Sequence, residues 1–145
     1  MLREQPLELR AEEEVDPNEQ DRGHAATLAL VADGDNRRVG LERGLDLMRA
    51  GAYFEAHEAL EDEWREAPAK ERDFLQGLVH VTVAWYQAGR GNRVGCERQL
   101  EKAARRLGSY APEHRGVDVE AVLEDVARAR AQLETGSLAF PSPRV

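Results

Sequence analysis

From Asn36 onward, apolar residues recur at the three- and four-residue intervals of an α-helix in five successive stretches. Leu41, Leu45 and Met48 make the first, which Gly51 can close in a left-handed conformation. The second runs from Ala52 to Ala67 and stops at Pro68, a residue that also suits the opening turn of the third, Ala69 to Ala88, before Gly89. Asn92 is a good N-cap for the fourth, which carries Val94, Cys96, Leu100, Ala103, Ala104 and Leu107 before Gly108. The fifth begins at Asp118, sets Val119, Val122, Leu123, Val126 and Leu133 on one side, and ends at Gly136. Inside the third, "LVHVTVAW" alternates well enough for a strand, so local signals leave that choice open; the length of the segment and its caps favour helix. Short links favour antiparallel neighbours, and the pattern predicts an all-α, single-domain antiparallel helical bundle of about five helices over residues 36–136.

The flanks lack this period. Residues 1–35 read as an acidic N-terminal arm, partly disordered or with a short helix at "HAATLALVADGDN". Residues 137–145 read as a tail that docks through Leu138 and Phe140. Charge sharpens the division, because Met1 to Arg22 holds eight acids and three bases in a chain whose net charge is -8. Such a balance makes nucleic acid an unlikely partner unless the bases gather on one face. One cysteine, Cys96, excludes an intramolecular disulfide and any CxxC pair, which fits a reducing cytoplasmic location. The longest uncharged run, Phe74 to Gly89, is shorter than the ~20 residues of a membrane span, and the first residues contain no apolar signal core.

Candidate chemistry centres on the second helix. Advancing 100° per residue gathers Tyr53, Ala56, Leu60, Trp64 and Ala67 in one sector with His57 in its middle, while Glu55, Glu58, Asp62 and Glu66 fan out opposite. His57 is therefore expected to point inward. A buried imidazole needs its nitrogens paired, at a cost on the order of 1–3 kcal/mol otherwise, and Glu61 lies one turn on, at the edge of the sector. On the mostly apolar third helix, Asp73, Gln76, His80 and Gln87 align as a narrow polar strip that either faces the open side or meets polar groups of a neighbour, with His57 and Glu61 on offer.

The stretches "YFEAHEALEDEWRE" and "FLQGLVHVTVAWYQAGRGNRVGCERQLEKAARRL" resemble the bacterial and archaeal family called domain of unknown function 309. Its pattern has an aromatic before His-Glu, a second glutamate three further on and a tryptophan, then a Gln-Gly-Leu step and a Gly-Asn turn ahead of an alanine- and leucine-rich helix. Phe54, His57, Glu58, Glu61, Trp64, Gln76, Gly77, Leu78, Gly91, Asn92 and Gly95 match it, within about Leu41 to Leu107. Members often carry a histidine shortly before the turn, where this chain has Tyr86 and Gln87, which counts against any chemistry needing that group. The resemblance implies a small all-helical fold and no settled activity.

His57-Glu58-x-x-Glu61 invites a metal-dependent hydrolase, with His57 and Glu61 as ligands, Glu58 as base and His80 or Gln76 as a third ligand. Glu58, however, sits about 100° from His57, toward solvent. A polar site built from His57, Glu58, Glu61, Trp64, Gln76, His80 and Asn92, which organises the fold and holds a small ligand or protein partner, fits the pattern better. No serine or cysteine nucleophile supports catalysis, Cys96 reads as packing, and no cofactor is indicated. Arg98, Lys102, Arg105 and Arg106 form a basic stripe on the fourth helix, bordered by Glu97 and Glu101; a solvated face is the plain reading and an RNA-associated surface the alternative. Gly77 and Gly95, inside helices, are expected to permit close crossings, and His24 and His114 carry no signal.

Overall fold

A computed structural model describes residues 39–145. The expectations for the acidic arm and for the first residues of the bundle lie outside these. Among the described residues the chain is all-helical: α1 (residues 39–49), α2 (Tyr53–Glu66), α3 (Ala69–Gly89), α4 (Arg93–Leu107) and α5 (Val119–Glu134), with a 3-10 turn at Gly108–Tyr110. None of these helices is long and apolar enough to cross a membrane.

Chain breaks fall where the local chemistry puts them. After α1, Gly51 adopts φ 79° while its N–H donates to the Met48 carbonyl and that of Ala52 to Leu47, a Schellman closure. The same closure ends α3, but at Gly91 (φ 78°) and not at the expected Gly89, with the Asn92 N–H donating to Gln87 O. Gly89 stays helical because its successor Arg90 still reaches the Tyr86 carbonyl at 3.2 Å. Asn92 and Asp118 cap α4 and α5, accepting from the backbone of Gly95 and Ala121, each at 2.9 Å.

The bundle is arranged around α3. Residues Phe74 to Trp85 are buried on every side of it, flanked by α2 and α4, and α5 packs against α4. The stretch "LVHVTVAW" is helical, and being buried all round it satisfies its backbone within the helix itself. Thr82, the polar residue of that stretch with a hydroxyl, returns it to the Leu78 carbonyl at 2.7 Å. Gly40 and Gly44 bring α1 close to α2, since a Cβ at Gly44 would lie 2.6 Å from Leu60 Cδ2 and one at Gly40 would strike the Glu63 carboxylate.

Residues 137–145 fold back over this core. Leu138, Phe140 and Val145 pack against it, the Phe140 ring meets Trp85 at 5.2 Å edge-on, and Trp85 Nε1 donates to the Pro141 carbonyl at 2.9 Å. Arg144 clasps Asp125 on α5 through its backbone N–H and its guanidinium, each at 2.8 Å. Partial burial of Asp125 alone would push its carboxyl up, but the Arg144 bonds and charge, with Arg128 beside them, hold it below the ordinary range. A lowered folded-state carboxyl stabilises the fold fully above the ordinary aspartate range, and that contribution is lost as pH falls through it. Urea midpoints measured at about pH 7 and about pH 3 should therefore fall less in Arg144→Ala than in the unaltered protein. Equal falls would show that the clasp does not carry acid sensitivity.

Candidate functional site

On α2 the helical period turns His57 into the bundle, where the residue is 1% exposed beside the buried Ala56 and Leu60. Phe54, on the same helix, bridges outward from it, its ring 6.1 Å from the imidazole and 5.8 Å from Tyr86 of α3. Glu61 follows one turn later, with Oε2 3.4 Å from His57 Nε2 and the other carboxylate oxygen 3.8 Å from Arg65. The contact is a close approach and not a hydrogen bond, because neither ring nitrogen of His57 finds an acceptor or donor in bonding geometry. The expected inward imidazole and adjacent acid are both present, and the expected bond between them is not made.

Glu58 lies on the exposed side of α2. Trp64 is half-buried and carries the Arg72 guanidinium 4.2 Å over its ring, while its own Nε1 is covered and makes no hydrogen bond. Among the described residues, no three His, Cys, Asp or Glu side chains gather where they could hold a metal ion. Hence His57, Glu61 and His80 do not converge as a ligand set. Cys96 is fully buried, and burial, reinforced by the Glu97 carboxylate, pushes its thiol up to about 12, as suits a packing residue.

The polar strip of α3 turns to α4 and not toward His57 and Glu61. Asp73 accepts from Arg106 at 2.7 Å, buried His80 donates through Nδ1 to Gln99 Oε1 at 2.7 Å, and Gln87 Oε1 accepts from Asn92 Nδ2 at 3.2 Å. These partners stand seven residues apart on each helix, so an antiparallel pair aligned in heptads brings all three into register at once. Gln76 lies on the same strip and is 8% exposed. Asn92 is thus both the cap of α4 and a rung of this ladder.

Gln99 escaped the sequence reading. Its signal was position, since it sits three residues after Cys96 and four before Ala103, inside the apolar stripe of α4. His114, which carried no signal, is held by Glu71 at 2.9 Å with its ring against Phe74 and Tyr110, pinning the α4–α5 connection to the start of α3. Gly77 does permit a close crossing: a Cβ there would lie 2.6 Å from Leu107 Cγ. Gly95 does not serve a crossing; its missing Cβ leaves room for the capping side chain of Asn92.

The uncharacterized protein YpuF of Bacillus subtilis (strain 168) is 36% identical to the chain over 88 residues. The aligned part is 59% of this chain and 51% of that protein, so the chain spans about half the length of its relative. No solved structure matches. The segment from α1 into α4, which holds His57, Gln76 and Asn92, is similar to the family described as domain of unknown function (DUF309), whose model matches residues 41–99.

Proposed function

We propose that this protein is a non-catalytic cytoplasmic binding module in which His57 and Glu61 receive one polar group of a small ligand or of a partner protein. One observation carries the reading: an imidazole that is 1% exposed makes no hydrogen bond from either nitrogen. Each unmet buried nitrogen costs on the order of 1–3 kcal/mol, and a ligand that supplies the bond recovers that energy. Phe54, 38% exposed and leaning on both His57 and Tyr86, stands between this group and solvent, where a side-chain rotation would admit an entering group. The lone buried thiol of Cys96 fits a reducing compartment. A metal-dependent hydrolase gains no support from exposed Glu58, nor from the described residues, in which no three His, Cys, Asp or Glu side chains gather.

Elemental analysis of untagged protein should find metal well below one equivalent. Nitrogen chemical shifts of the His57 ring should move on titration with simple carboxylates, amides or alcohols. His57→Ala should cost about 2 kcal/mol, less than a large apolar truncation, because removing the ring also removes its unmet polar atoms. Near-stoichiometric metal that disappears in His57→Ala would establish the hydrolase instead. Ring resonances indifferent to every added group would leave His57 a packing residue and end the binding reading.

A further inference from the structure

We infer, resting on the binding reading above, that the group received by His57 and Glu61 is a nitrogen carrying at least two hydrogens. It belongs to a primary amide or a protonated primary amine and donates to His57 Nε2 and Glu61 Oε2 together. These two atoms stand 3.4 Å apart, and neither ring nitrogen of the 1% exposed histidine has a hydrogen-bond partner. A settled ion pair would not leave that gap. Charge-assisted bonds of this kind close to about 2.7–2.9 Å, and residues four apart on a helix are placed to close them. The other carboxylate oxygen, Oε1, faces Arg65 at 3.8 Å, also beyond bonding distance. Glu61, 8% exposed, is thus approached by two cationic or polar neighbours, and neither approach is a hydrogen bond.

Donor and acceptor counts select the class. A carboxylate only accepts, and a neutral imidazole keeps one bare nitrogen. When that nitrogen is Nε2, two acceptors face each other across the gap, and whatever joins them must donate twice. An atom about 2.9 Å from both closes a triangle on the 3.4 Å base with an apex of roughly 70°. Two N–H bonds of an –NH2 or –NH3⁺ group, splayed at about 110–120°, then meet their acceptors only slightly bent. A hydroxyl has one hydrogen and turns a lone pair to the second acceptor. A carboxylate has none and meets Glu61 with like charge. The sign of the surroundings agrees, since α2 supplies six acids against one arginine, a balance that draws a cation and repels an anion.

Small probes test this on the full chain labelled with ¹⁵N-histidine, with the His80 and His114 rings as references. Methylammonium, acetamide, N,N-dimethylacetamide, methanol and acetate are each added up to about 0.5 M at constant ionic strength, because a probe of so few atoms gains at most about 1.5 kcal/mol per heavy atom. His57 Nε2 should move saturably with methylammonium and acetamide, and at least tenfold less with the other three, which lack an –NH2 or –NH3⁺ group. At saturation its ¹⁵N resonance should be that of a nitrogen without its own hydrogen. A response to methylammonium alone identifies an amine ligand, and one to acetamide alone a primary amide; either supports the nitrogen donor. Glu61→Gln sets the protein's own amide nitrogen beside Nε2 and should abolish the response to both probes. A response that survives in Glu61→Gln, or an Nε2 that keeps its hydrogen at saturation, overturns the inference. Acetate or methanol moving Nε2 as strongly as acetamide overturns this ligand class and leaves the binding reading standing, whereas silence with all five probes removes both.

Discussion

Gly77→Val should destabilise the bundle by about 3 kcal/mol, a fall in melting temperature of roughly 10–20 °C for a domain of this size. A Cβ at residue 77 would lie 2.6 Å from both Cγ and Cδ2 of Leu107, and 3.5 Å from Arg106 Cβ. Leu107 is fully buried, so it cannot step aside without displacing the core around it. Valine gains some helix propensity over glycine, less than 1 kcal/mol, and that gain is smaller than the overlap. The diagnostic is non-additivity. Leu107→Ala on its own should cost about 2–5 kcal/mol, but in the Gly77→Val background it should restore stability, giving a coupling above about 1 kcal/mol. Additive losses in a denaturant-melt cycle would mean that α3 and α4 do not cross at this point.

Gln99→Leu should cost about 2–3 kcal/mol although it replaces a polar residue in the core by an apolar one of similar size. The reason is the residue left behind. His80 is 1% exposed and its Nδ1–H donates to Gln99 at 2.7 Å, so leucine at 99 leaves that donor facing hydrocarbon. His80→Leu combined with Gln99→Leu should recover most of the loss, because an apolar pair has nothing to satisfy. A single variant as stable as the parent would show that the imidazole bond contributes nothing to the α3–α4 contact.

The five helices and the inward turn of His57 were legible because both depend on angular period, a property each segment carries alone. Partners were less legible. The strip Asp73, His80, Gln87 was visible on α3, yet its direction depended on which neighbour offered groups in step, and Arg106, Gln99 and Asn92 do so only when α3 and α4 are aligned as a pair. Glu63 shows the same limit. Nothing in its own helix marks a glutamate for burial to 6% exposure; the room for its carboxylate comes from α1, where Gly40 has no side chain. The Trp85 and Arg144 contacts of the last nine residues were likewise invisible, since single long-range bonds leave no periodic trace.

Heptad spacing between those three rungs also guards the hairpin against mispairing as it closes. A slip of one turn would set the His80 imidazole opposite the methyl group of Ala103 or the bare backbone of Gly95 and strand the Gln87 amide without its capping neighbour. Apolar side chains tolerate such a shift, whereas these groups do not. A misaligned α3–α4 pair is thus penalised, and the packing favours a single alignment.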